Sequence, residues 1–348
     1  MMRAITVEPG HAGSSKLEEI AEPSADQGSV LVKTLAIGVC GTDVEILKGG
    51  YGWAPPGKSR LVIGHESLGE VLEAPEGSGL AKGDRVVGIV RRPDPVPCGS
   101  CAVGEWDMCR NGRYTERGIK AIDGYASERY RIEPEYVVKV DEKLGERGVL
   151  LEPASVVAKA WDQIQRIGER ATWKPQRALV IGAGPVGLLA ALLGVERGLE
   201  VHVLDRVTEG PKPSLVADLG AKYHTGRVRD VGAATDVILE CTGAGEVICE
   251  AMQAASPMGI VCLAGVSSGG RSIPVDVQGL NREMVLENTV VFGTVNANRS
   301  HYEAAARALL QADQGWLDRL ITRRVPLERW SEALTREPTD VKPVIAFA

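Results

Sequence analysis

The stretch Ala178-Leu179-Val180-Ile181-Gly182-Ala183-Gly184-Pro185-Val186-Gly187 decides how the second half of this chain folds. Four apolar residues run into a glycine triplet, Pro185 and Val186 open an apolar helix pattern, and Asp205 closes the next apolar run. That is the grammar of a βαβ unit that holds a dinucleotide. Gly182 allows the tight turn, Gly184 lets a pyrophosphate approach the backbone, and Gly187 lets the helix pack close to the strand. The helix N-terminus adds partial positive charge. A lone glycine triplet is weak evidence, but here the strand, the helix and an acidic residue about twenty positions on all agree.

Outward from this unit, strands alternate with helices through Asp236–Glu240, Gly259–Ala264 and Thr289–Val295, which predicts an α/β region built on a doubly wound parallel sheet. Its strand ends carry Thr242-Gly243, Gly265-Val266 and, at the end of the last run, Thr294 and Asn296, residue types suited to a cofactor lying across the sheet. The first 150 or so residues differ. Short β-branched runs such as Ser29–Ala36, Leu68–Leu72, Asp84–Val90 and Glu135–Val140, punctuated by Gly, Pro and Asp, predict an irregular β-rich domain. A helix pattern over Val149–Arg166 leads from one region to the other, and a second one over His301–Ala312 precedes an apolar Val344–Phe347 strand. We therefore expect a β-rich domain over 1–160, completed by 297–348, around a nucleotide-binding domain over 161–296.

Bulk properties bound the function. At 348 residues the chain is too long for one ordinary core. A net charge of -6 with no basic cluster argues against nucleic acid or an anionic membrane as partner, and favours a small ligand. No apolar stretch approaches membrane-spanning length, and the start at Met1–Val7 lacks the layout of a secretory signal. Seven cysteines, an odd number, fit thiols in a reducing compartment, so the expected location is the cytoplasm.

Three elements upstream of the fingerprint could do chemistry: Cys40-Gly41-Thr42-Asp43, Gly64-His65-Glu66 and Leu151-Glu152-Pro153. They supply a thiolate, an imidazole and carboxylates, and catalytic zinc commonly takes three such ligands while keeping one position open. Any one alone reads as packing, hydrogen bonding or a helix cap; the combination with a nucleotide fold changes the odds. A second cluster, Cys98-Gly99-Ser100-Cys101 followed by Cys109, has the C-x-x-C spacing of a tetrahedral zinc site. With three cysteines, the fourth ligand would have to be Asp94 or another oxygen donor. Cys241, Cys249 and Cys262 fall in or beside predicted core elements and read as packing.

The order of these elements resembles that of the zinc-dependent medium-chain alcohol dehydrogenases. Within that superfamily the chain is most similar to the glucose (aldose) 1-dehydrogenases, through Arg91-Arg92-Pro93, Glu116-Arg117-Gly118-Ile119 and Val295-Asn296-Ala297-Asn298. The resemblance covers essentially the whole chain and implies a GroES-like catalytic domain joined to a Rossmann domain. It implies that Cys40, His65 and a carboxylate from Glu66 or Glu152 hold a catalytic zinc, that Thr42 begins a proton relay, and that Glu116 and Asn296 contact sugar hydroxyls. Two departures stand out: Pro95 where a first lobe cysteine is usual, and Ala158 where many relatives carry a glutamate.

The implied reaction is oxidation of an aldose at C1 to the aldonolactone, with hydride transfer to a nicotinamide dinucleotide. Asp205 can accept from both ribose hydroxyls and repel a 2′-phosphate, which favours NAD, while Arg206 beside it keeps NADP open. The alternatives are a polyol or amino-cyclitol dehydrogenase forming a ketone and, from another class, a nucleotide-sensing protein without turnover. A homodimer or homotetramer is expected, on family analogy.

Overall fold

A computed structural model describes residues 1–231, 235–267, 269, 272–335 and 337–347. By its internal contacts the chain divides into two compact units, Met1–Ser155 with Asn296–Ala348, and Val156–Val295.

The first unit is built on β-structure. The long strand Val30–Gly38 pairs antiparallel with Glu66–Glu73, with Arg129–Ile132 and with the C-terminal strand Pro343–Ala346. These belong to a seven-stranded sheet that Val137–Lys139, Arg85–Gly88 and Arg323–Pro326 complete. A small sheet joins Met2–Val7 to Lys16–Ile20 and Leu61–Val62, and another joins Arg91–Arg92, Thr115–Arg117 and Ala121–Ile122. The apolar positions read as strands, including Val32, Val71 and Val86, are enclosed in one core together with Ile5 and Ile37. The sequence placed Val30–Gly38, Glu66–Glu73, Arg85–Gly88, Val137–Lys139 and Pro343–Ala346 within two residues, because alternation reports which face is buried, and set no bounds for the other strands of this unit.

The second unit carries six parallel strands in the order Lys222–His224, Glu200–Leu204, Arg177–Ile181, Thr235–Glu240, Ala255–Leu263 and Val290–Gly293. This is the doubly wound order of dinucleotide-binding folds, in which ligands bind outside the carboxyl ends of the strands. The helix after the glycine triplet, Pro185–Glu196, buries every residue from Gly187 to Gly194, so its sequence is apolar all round rather than amphipathic. The helix Leu151–Gly168 begins in the first unit and continues into the second. No helix among the described residues is long and apolar enough to cross a membrane.

Candidate active site

Cys40 caps the short helix Gly41–Leu47, and His65 and Glu66 stand where the chain passes from Leu61–Val62 into Glu66–Glu73. Gly64 makes that passage at a φ of +86°, and a Cβ there would lie 3.0 Å from the Ala126 side chain. Conformation and space both call for glycine before His65. The arrangement brings a ligand atom of each of Cys40, His65 and Glu66 within 4.8 Å of the others.

Asp43 supports this group. Its Oδ2 accepts from the Cys40 amide at 2.9 Å, and its Oδ1 lies 3.4 Å from His65 Nδ1. Both Oδ1 and Nδ1 are enclosed and have no hydrogen-bond partner among the described residues. A carboxylate facing Nδ1 orients the ring and leaves Nε2 as its ligand atom. Burial of the His65 ring opposes its charged form, but Asp43, with the Cys40 sulfur, outweighs it and raises the pKa well above the ordinary imidazole value.

Glu66 is tied to Lys342, whose Nζ donates to its two carboxylate oxygens at 2.7 and 2.5 Å and to the Val39 carbonyl at 3.0 Å. Both residues are only 1% exposed. Gly38 makes room for the pair, since a Cβ there would fall 2.2 Å from Glu66 Oε2. Glu152, in the first turn of Leu151–Gly168, lies outside the 4.8 Å group but within its field. Burial and the like charge of Glu66 push its carboxyl up to about 7, against the opposing pull of His65 and Lys342. Thr42 Oγ1 is 3.8 Å from Cys40 Sγ. One thiolate, one imidazole and buried carboxylates fit zinc in its catalytic coordination, and the carboxylate-backed ring fits the support such a ligand needs.

Glu116 and Asn296 also meet: Asn296 Nδ2 donates to Glu116 Oε1 at 2.8 Å. Asn296 holds a φ of +64° while 7% exposed, and its Oδ1 accepts from the Ala297 amide. The turn after Glu116 backs onto the segment that leads into His65, since a Cβ on Gly118 would come 2.6 Å from the Gly64 carbonyl oxygen.

Cys98, Cys101 and Cys109 likewise lie within 4.8 Å of one another. Amides from Arg110 and Cys101 lower Cys98 to about 6, and burial raises Cys101 to about 11. Asp94 lies outside that 4.8 Å group. Its Oδ1 accepts from the Val96 amide at 2.8 Å and its Oδ2 from Arg113 at 3.1 Å.

In the second unit the three glycines divide their work. Gly182 takes a φ of +99°, a Cβ on Gly187 would sit 1.7 Å from the Gly182 carbonyl oxygen, and one on Gly184 would meet nothing within 4 Å. Strained turn, helix packing and open approach are thus separate requirements, and Gly184 leaves the room a pyrophosphate needs. Asp205 Oδ2 accepts from the Ala183 amide at 2.7 Å and from Lys212 Nζ at 3.0 Å, and its Oδ1 accepts from Val207 at 3.0 Å. Burial works against its charge, but these donors prevail and its pKa is lowered. Arg206 beside it is exposed. The buried Glu240 accepts from the amides of Thr242 and Gly243, and Gly265 packs so closely that a Cβ would be 2.2 Å from the Gly243 nitrogen. Val266 is exposed, and Thr294 Oγ1 is enclosed without a hydrogen-bond partner among the described residues.

Sequence reasoning missed Asp43, Lys342, Arg91, Lys212 and Glu240 as supporting residues. Asp43 could have been found from its capping position three residues after Cys40. The others act on partners far along the chain or across a turn, and no local pattern marks them.

This fold and donor set define a metal-dependent nicotinamide dehydrogenase. A model described as the glucose dehydrogenase C-terminus matches residues 145–347, and one described as the alcohol dehydrogenase GroES-like domain matches 26–142. A glucose 1-dehydrogenase of Methanocella arvoryzae is 40% identical and one of Thermoproteus tenax 38%, each covering 99% of both chains. The structure of Haloferax mediterranei glucose dehydrogenase in complex with NADP, Zn and gluconolactone superposes with a TM-score of 0.92 at 34% identity, covering 100% of this chain and 99% of that one. The chain belongs to the glucose dehydrogenase family of the zinc-dependent medium-chain dehydrogenases.

Proposed function

We propose that this chain oxidises an aldose such as glucose at C1 to the aldonolactone, with Cys40, His65 and a carboxylate from Glu66 or Glu152 holding zinc. The observation that carries the reading is the convergence of thiolate, imidazole and carboxylate within 4.8 Å in a chain that matches glucose 1-dehydrogenases along its length. When bound, zinc supplies Lewis-acid stabilisation of an alkoxide near neutral pH and the nicotinamide ring supplies the hydride acceptor. Thr42 takes the alcohol proton at Oγ1 and passes it toward solvent, so no charged base is needed there. Glu116 and Asn296 bind hydroxyls of a polyhydroxylated substrate, where a hydrophobic alcohol would want an apolar pocket.

Asp205 favours NAD through the ribose diol. Its pairing with Lys212 and the exposed Arg206 beside it temper repulsion of a 2′-phosphate, so NADP is admitted too. An Asp205→Ser variant gains NADP activity relative to NAD; an unchanged ratio of kcat/KM values would show that this carboxylate does not set selectivity. Val290–Gly293 ends the six-stranded sheet at an edge, consistent with a homodimer or homotetramer that light scattering would count. Free thiols at all seven cysteines suit a reducing cytoplasm.

Nicotinamide absorbance across aldoses, polyols and simple alcohols, with product analysis, tests the reading. A lactone or its acid supports it. A ketone from a polyol or amino-cyclitol would move the chemistry to a secondary alcohol, and bound dinucleotide without turnover would favour a sensor.

A further inference from the structure

Every hydrogen bond the structure gives the Glu116 carboxylate falls on one oxygen. Arg91 donates to Oε1 from Nε at 3.2 Å and from Nη2 at 2.9 Å, and Asn296 Nδ2 donates to the same atom at 2.8 Å. Oε2 receives no donor among the described residues, although Glu116 is only 5% exposed. Oε2 is not among the enclosed side-chain oxygens that lack a partner, so it is open to a donor from outside the protein, and a substrate hydroxyl is such a donor.

Arg91 is itself fixed on several sides. It lies directly across from Glu116 in the pairing of Arg91–Arg92 with Thr115–Arg117. Its Nη1 donates to the Asp107 carbonyl at 3.0 Å, its guanidinium carbon stands 3.8 Å from the Tyr114 ring centroid, and the residue is 4% exposed. Asp107 lies in the three-thiol lobe and also accepts from Asn298, two residues beyond Asn296, at 2.9 Å. The guanidinium thus cannot swing away, and two of its donors converge on one oxygen instead of forking across both.

We infer that Arg91 is a positioning residue for the sugar: it locks Glu116 through Oε1, so that Oε2 is presented in one orientation to a substrate hydroxyl. The inference rests on the aldose reading above. A rigid acceptor built to take a hydroxyl discriminates against a sugar that lacks it.

The test compares glucose with its 2-, 3- and 6-deoxy analogues in the wild type, Arg91→Met and Arg91→Lys, recording kcat and KM separately. The wild type should lose roughly 10- to 100-fold in kcat/KM on one deoxy sugar. In Arg91→Met, KM for glucose should rise by a similar factor with kcat changed less than about threefold, and the penalty for that deoxy sugar should shrink toward none. Arg91→Lys, which keeps the charge but not the paired donors, should fall between the two, and it serves if Arg91→Met does not fold. An equal loss on every sugar, a fall confined to kcat, or an unaltered deoxy profile in a folded variant would overturn the inference. A wild type that oxidises no aldose would overturn the aldose reading and the inference with it, which separates the two failures.

Discussion

Cys40, His65 and Glu66 on one side, and Cys98, Cys101 and Cys109 on the other, are each drawn within 4.8 Å in the same unit of the molecule. Around the first group stand Asp43 behind His65, Lys342 across Glu66 and the buried Glu152 nearby. Around the second, the one buried carboxylate the sequence offered as a ligand, Asp94, is turned to the Val96 amide and Arg113. The number of ligating side chains therefore does not distinguish the two groups. What distinguishes them is whether neighbouring charges orient each ligand and balance its burial, as supporting residues do in metal sites.

The contrast is most exposed to removal of a ligand. Cys40→Ser or His65→Ala should lose the catalytic zinc and at least about 10³-fold in turnover, whereas Cys109→Ser should leave turnover within about threefold. Metal content by atomic emission and initial rates would show this, and equal losses at both places would erase the distinction. Next comes Lys342→Met, which strands Glu66 in the core without its counter-charge and should cost about 3–5 kcal/mol of stability, read from urea unfolding. Lys342→Arg should recover part of that. Asp43→Asn is milder: it keeps the shape but weakens the support of His65, and zinc affinity by competition with a chelator should fall about 10- to 100-fold. An affinity unchanged in Asp43→Asn would mean that the ligands hold the metal without help.

The same contrast explains what could be read in advance. The parallel sheet, the glycine triplet and the β-rich first unit were legible because periodicity and local spacing encode them, and Gly182, Gly184 and Gly187 occupy the three separate environments their roles require. Cys40, His65 and Glu66 were legible as residue types, and the fold supplies their convergence. The partners that complete the site were not: Lys342 meets Glu66 across 276 positions and Asn296 meets Glu116 across 180, separations at which a single sequence carries no pattern. The amide and guanidinium partners of Asp94 were likewise not legible, because a carboxylate near thiols carries no local mark of them.

The decisive measurement is nicotinamide reduction with glucose before chelation, after chelation and after zinc is restored, run in parallel on wild type and Cys109→Ser, with the product followed by NMR. Zinc-dependent formation of the lactone in both proteins is the predicted result. Turnover that survives complete removal of zinc, or that is lost in Cys109→Ser while Cys40→Ser retains it, would contradict the assignment of the reaction to the Cys40, His65 and Glu66 centre.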